Sequence, residues 1–213
     1  MKDSKREIDP PSIPLDKLEP THLNELVAQL YELLKIEDSE LQGFVGADTR
    51  FETSILARVD LSGSKLKRAR MLDVRIEKSN LSNAEWDRAN FRRVEIVGTR
   101  ATGLALRSAE LRDVTLRDCR ADFVRIDASK LIGVRFEQCR LTEADFSDTA
   151  MTRVVFAGCD LTNLDLSHTK IISVDLSGST IDGLKLTPEQ LRGLTIDLPQ
   201  ALQIVTMLGV TIA

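Results

Sequence analysis

From Phe51 to Ile196 every fifth residue is apolar, 30 positions in one unbroken register, in a chain that is 42% hydrophobic overall. Chance would produce such a run at roughly 10⁻¹¹. A period of five matches neither the 3.6 of a helix stripe nor the 2.0 of a long strand. The position two residues before each apolar centre is selected as well. From Thr49 to Leu184 it holds only Ala, Ser, Thr, Cys, Val and three Leu, and never a charge. Both columns therefore point inward, the residue between them points outward, and the two residues after each centre turn the chain. Eight of the eleven glycines stand at the second turn residue: Gly63, Gly98, Gly103, Gly133, Gly158, Gly178, Gly183 and Gly193. That position evidently favours the left-handed backbone that glycine adopts at low steric cost.

A longer period sets the number of sides. Cys119, Cys139 and Cys159 are 20 residues apart, as are Val74, Val94, Val114, Val134, Val154 and Val174. Each side thus repeats after four pentads, which predicts a square all-β solenoid with five residues per side. At the strand spacing of about 4.8 Å, about 7.5 turns make a rod roughly 36 Å long. The pentads Val59-Asp60-Leu61-Ser62-Gly63, Ala144-Asp145-Phe146-Ser147-Asp148, Cys159-Asp160-Leu161-Thr162-Asn163 and Val174-Asp175-Leu176-Ser177-Gly178 resemble the A(D/N)LXX consensus of the pentapeptide-repeat family. The resemblance implies a right-handed quadrilateral β-helix over residues 46–196.

The ends depart from the repeat. Residues 1–20 hold four of the six prolines with mixed charge, and read as a flexible tail. Across residues 21–45, Leu23, Leu26, Val27, Leu30, Leu33 and Leu34 follow helical spacing after Pro20, predicting an amphipathic helix that caps the first turn. At the other end, residues 197–213 begin with Asp197-Leu198-Pro199 and reach Gly209, a proline-to-glycine signature of a short helix. No residue from Leu198 to Ala213 is charged, whereas a surface helix keeps a polar face. Leu198, Ala201, Leu202, Val205 and Leu208 are therefore expected to be covered, either as a lid on the rod or in a homodimer contact. This segment resembles the C-terminal piece of mycobacterial fluoroquinolone-resistance members of the family, which implies end-to-end pairing of two rods.

Motifs for chemistry are missing. The sequence has no phosphate-binding Gly-rich loop, no nucleophile elbow and no C-x-x-C pair. Its two histidines, His22 and His168, have no partner constellation. Three thiols in a line about 4.8 Å apart cannot converge on one zinc, so the cysteines read as small packing residues. A filled rod offers no concave pocket, and Trp86 reads as core. No catalytic, cofactor or metal site is expected. The absence of a long apolar run or a leader pattern, with three inward thiols, points to a cytoplasmic protein.

Charge is uneven. Residues 1–45 carry a net −5, residues 46–140 a net +6 and residues 141–213 a net −5. On the square, Glu143, Asp160 and Asp182 fall on one side and Asp145, Asp148 and Asp165 on the next, an acidic stripe leading toward the C-terminal helix. The family resemblance implies two functions: a non-enzymatic protein-interaction scaffold, or a DNA mimic that binds DNA gyrase and confers fluoroquinolone tolerance. An acidic dimer junction suits the second. The basic middle, including Lys65, Lys67, Arg68, Arg70, Arg92, Arg93, Arg112, Arg117 and Arg120, opposes it. Direct nucleic-acid binding is disfavoured, because no exposed aromatics are interleaved with the basic residues.

Overall fold

A computed structural model describes residues 8–211. The chain winds as a parallel β-solenoid of about eight turns. Its strands in chain order are β1 (Glu19–Thr21), β2 (Leu30–Glu32), β3 (Leu34–Glu37), β4 (Val45–Ala47), β5 (Arg50–Ala57), β6 (Lys65–Lys67) and β7 (Arg70–Glu77). They continue as β8 (Asn90–Val97), β9 (Glu110–Arg117), β10 (Lys130–Glu137), β11 (Ala150–Ala157), β12 (Lys170–Asp175) and β13 (Leu194–Thr195), and the helix α1 (Leu198–Met207) follows. Turns stack at an offset of 20 residues, so Phe51, Met71, Phe91, Leu111, Leu131 and Met151 form one ladder. Each eight-residue strand bends round a corner and covers the first and second sides of the square. The third and fourth sides are held mostly by single bridges, such as Arg100 with Arg120 and Asp145 with Asp165.

The inside and outside follow the pentad. The centres from Phe51 to Leu166 are buried, with Phe51, Leu61, Trp86, Leu131, Phe136, Phe146 and Phe156 all at 1% exposure or less, whereas Ile171, Leu186, Leu191 and Ile196 toward the C-terminal end are partly buried. Phe136 and Phe156 stack at 4.8 Å, and Phe146 meets both edge-on. Trp86 is core, as expected, and its indole N–H donates to the Ser64 hydroxyl one turn earlier at 2.9 Å. Small polar residues are tolerated beside the centres because nearly all their hydroxyls have a fixed partner. Ser129, Thr149, Thr169 and Ser179 donate to the carbonyls of Leu106, Ile126, Phe146 and Phe156, the centres of the preceding turn, at 2.8–3.0 Å. The thiols of Cys119, Cys139 and Cys159 make the same contact at 3.4–3.5 Å and are free. A buried donor left unsatisfied is costly, and the column carries one such group, the Thr49 hydroxyl near its N-terminal end. Among the described residues every non-glycine residue with positive φ occupies the second turn position, the place where glycine collects.

The N-terminal helix expected over residues 21–35 is not formed. That segment is already part of the coil, with β2 pairing to β5 and β3 to both β5 and β1. Leu26, Tyr31, Ile36 and Leu41 extend the register of buried centres backwards, at 4% exposure or less. The register is hidden in the sequence because Gly46 stands at a centre. A Cβ there would lie 2.7 Å from Cε1 of Phe44, whose ring fills the space the centre side chain would take. In this pentad the large and small positions are exchanged. Residues 1–7 of the expected tail lie outside the described residues. Residues 8–20 lie on the coil: the Ser12 N–H donates to Asp73 Oδ1 at 2.9 Å, and a 3₁₀ turn spans Leu15–Lys17.

The C-terminal end closes through two successive capping boxes. Thr187 and Gln190 bracket a 3₁₀ turn over Pro188–Leu191, and Asp197 and Gln200 bracket the start of α1. Both glutamines are buried, and their amides reach into the coil. Gln190 donates to the Leu166 and Thr169 carbonyls, and Gln200 to those of Leu176 and Ser179 at 2.7 Å each.

Candidate interaction surfaces

The residues that meet solvent are the single outward residue of each side and the corner residues. Three outward regions stand out.

The first is α1. Only Gln200 and Ile204 of this helix are buried against the rod. Of the five expected contact residues, Ala201 is half-buried and the other four are exposed: Leu198 74%, Leu202 48%, Val205 36% and Leu208 45%. Met207 and Val210 add to this face, at 46% and 52%. The helix is thus a lid on one face only, and its other face is apolar, uncharged and open.

The second is the acidic stripe. Asp145 and Asp165 are bridged neighbours on the fourth side, with Lys185 one turn further on. Glu143, Asp145 and Asp165 line one shallow cleft of about 350 Å³ at the corner between the third and fourth sides. Asp160 lies on the third side and Asp148 at the next corner, whereas Asp182 accepts a hydrogen bond from the Gln203 amide of α1. Three of these carboxylates also build turns. Asp145, Asp160 and Asp165 accept the backbone N–H two residues on, from Ser147, Thr162 and Ser167 at 2.9, 3.1 and 2.8 Å. The Thr162 hydroxyl holds the Asp160 carboxyl below the usual carboxylate range. For Asp165, burial acts in the opposite direction but is outweighed by the hydrogen bonds from Ser167 and the charge of Lys185. Asp60 makes the same turn in the basic region, so the Asp of the repeat is a structural acceptor wherever it occurs.

The third is the second side. Ile8, Asp9, Pro10 and Pro11 lie beside its outward residues and create an open groove of about 670 Å³, correcting the expectation of no concave feature. Its floor is self-neutralising: Glu137 pairs with both Arg117 (2.7 Å) and Arg135, and Asp113 and Arg153 stand opposite. The basic residues of the middle region are likewise partly neutralised, Arg68 by Asp48, Arg93 by Asp73 and Arg107 by Asp87. Among the described residues no group of three or more His, Cys, Asp or Glu is placed to hold a metal ion. Among the described residues no helix is long and apolar enough to cross a membrane.

Two residues that shape these surfaces escaped the sequence reading. Gln200 anchors α1, and the pattern Asp197-x-x-Gln200 spells its capping box. Phe123 is a half-exposed aromatic at a corner position, φ 57°, where its column otherwise holds Gly43, Gly63, Asn83, Gly103, Glu143, Asn163 and Gly183.

Comparison with known proteins returns the repeat itself. A model of pentapeptide repeats (8 copies) matches residues 69–103, and one of the pentapeptide repeat region matches residues 129–201, together just over half of the chain. Among solved structures, full-length QnrB1, a plasmid-mediated fluoroquinolone resistance protein, is 17% identical with a TM-score of 0.41, covering 90% of this chain and 100% of that one. HetL, a pentapeptide repeat protein involved in heterocyst differentiation regulation from the cyanobacterium Nostoc sp. strain PCC 7120, is 15% identical with a TM-score of 0.36, covering 82% and 90%. A pentapeptide repeat protein of the Arabidopsis thaliana thylakoid lumen is 19% identical with a TM-score of 0.26, covering 70% and 72%. No curated protein matches the sequence.

Proposed function

Because this chain belongs to the pentapeptide-repeat family, we propose that it is a non-enzymatic protein-interaction scaffold that homodimerises through α1. One observation carries the dimer: a helix without a single charge exposes Leu198, Leu202, Val205 and Leu208 while fixed to the rod by Gln200 and Ile204. Apolar side chains gathered on one face gain roughly 25 cal/mol per Å² when covered. A second copy related by a two-fold axis covers like with like. In this reading the rod is a spacer with four outward columns, and the free thiols of its core suit a reducing compartment such as the cytoplasm. Light scattering tests the dimer. The full chain should have twice its monomer mass, and Leu202→Asp with Val205→Asp should halve it. A monomeric wild type ends this part of the reading.

A second reading, mimicry of DNA toward DNA gyrase, is favoured by the acidic stripe alone. Dimerisation through α1 would bring two net −5 segments together at the centre. The basic middle and the turn-building role of Asp145, Asp160 and Asp165 weigh against it. A gyrase supercoiling assay decides: inhibition, or protection from a fluoroquinolone, that is lost in Asp145→Lys with Asp165→Lys supports mimicry. No effect at micromolar protein removes it.

A further inference from the structure

The third side carries a short basic ladder with one carboxylate for three arginines. Its outward column runs Asp60, Asn80, Arg100, Arg120, Arg140, Asp160, each bridged to the next turn. Arg100, Arg120 and Arg140 are thus stacked about 4.8 Å apart, a like-charge arrangement that destabilises a sheet. The Arg120 and Arg140 side chains are 61% and 52% exposed. One carboxylate stands among them. The almost buried Asp122 lies 2.7 Å from Arg140 Nε and 3.8 Å from Arg120 Nε. Arg100 makes no ion pair among the described residues. Next to Asp122 stands Phe123, half-exposed and in the left-handed region. Left-handed backbone is general at this corner position, where Leu33, Thr53 and Arg93 also adopt it, so what sets Phe123 apart is an aromatic ring half in water. Stacked like charges and a wet aromatic both oppose folding, and they coincide at one place.

We infer that this part of the third side docks an acidic protein segment, its carboxylates on Arg100, Arg120 and Arg140 and an apolar side chain on Phe123. Arginine and aromatic anchors of this kind dominate binding at protein interfaces. Nucleic acid fits less well. The ladder is three turns long, roughly 10 Å, and Asp160 ends it abruptly on one side, whereas a duplex presents a charge about every 1.7 Å along its whole length. A single aromatic also offers no run of stacking platforms. The inference rests on the scaffold reading and names one of its partners by chemistry.

The test is fluorescence anisotropy on the full chain with a short labelled peptide of Glu and Asp around one Leu. A peptide with Ser in place of Leu and a labelled oligothymidylate serve as comparisons. Saturable binding of the Leu peptide is expected, weakened about tenfold or more by Arg120→Glu and by Phe123→Gly. Phe123→Gly removes strain, so it should still melt within a few degrees of the wild type, which separates lost binding from lost folding. No saturable binding, unchanged binding by Phe123→Gly, or tighter binding of the oligothymidylate would each overturn the inference. Light scattering on the same samples reports the α1 dimer independently, so failure of the peptide arm leaves that reading standing.

Discussion

At the scale of single residues, the same side chain means different things in different columns of the pentad. Phe136 is a centre, stacked on Phe156 with no exposure, and Phe123 is a corner residue, half in water. Phe136→Ala and Phe156→Ala should each cost about 3–5 kcal/mol, because truncation leaves a cavity in a rod that cannot collapse sideways. Arg135→Ala, one residue away but outward, should stay within about 0.5 kcal/mol. Thermal or denaturant melts of the three variants check the order, and a reversed ranking would mean that inside and outside are wrongly assigned. The corner obeys its own rule. Ala128 is exposed with φ 53° and has no side-chain bond that compensates for it, so Ala128→Gly should be neutral to stabilising, by up to about 1 kcal/mol. Gly193→Ala should destabilise. Its φ is 95°, and a Cβ would meet the backbone oxygens of Ile172 and Ile171 at 3.0 and 3.1 Å.

At the scale of elements, the two ends are closed by different means. The N-terminal end is a shortened coil in which β1 pairs with β3 at an offset of 15 residues rather than 20. The C-terminal end is a helix anchored by the buried Gln200 amide, with Ile204 packed on the rod and Gln203 bonded to Asp182. Gln200→Leu would leave the Ser179 carbonyl without its donor and the Leu176 carbonyl with only the Ser179 N–H, and should cost about 1–3 kcal/mol. The loss should appear first as faster hydrogen exchange in α1. The turn and corner carboxylates link the coil to pH. The carboxyl of Asp73 lies below the usual range: burial opposes this, but hydrogen bonds from Arg93 and the Ser12 N–H outweigh it. A lowered folded-state pKa means that the contribution of the group is complete above its unfolded value of about 4 and is lost as pH falls through the folded value. Stability should therefore be flat from neutral pH down to about 5 and then fall, a fall that Asp73→Asn makes shallower in acid melts. The solenoid register of residues 21–45 was legible only in part. Leu26, Tyr31, Ile36 and Leu41 keep the period, but Leu23, Val27, Leu30 and Leu34 satisfy helical spacing equally well. The exchange of Phe44 for Gly46 removed the one centre that would have joined the run to Phe51.

At the scale of the whole molecule, the rod is a store of outward positions, and pairing through α1, as proposed, would decide how they are presented. If α1 pairs, the basic ladders of the two copies lie on either side of an acidic centre, and salt should weaken acidic-peptide binding without dissociating the apolar dimer. Anisotropy and light scattering at low and high ionic strength check this pair of expectations; salt-sensitive dimerisation would show that charge, not Leu202 and Val205, holds the copies together. The sequence by itself determined the winding, the number of sides and the lining of the tube. These follow from a repeat of five read against the geometry of strands, where each pentad must satisfy only its neighbours in the turns next to it. It also marked α1 as a helix and as uncharged. What only the tertiary structure decided depends on contacts between different turns of the coil. The Gln200 amide reaching the Leu176 carbonyl, the segment from Ile8 lying along the second side and the Asp122 carboxylate buried between Arg120 and Arg140 are of this kind. Local pattern cannot express them, because each is set by how one turn fills or leaves open the space beside another.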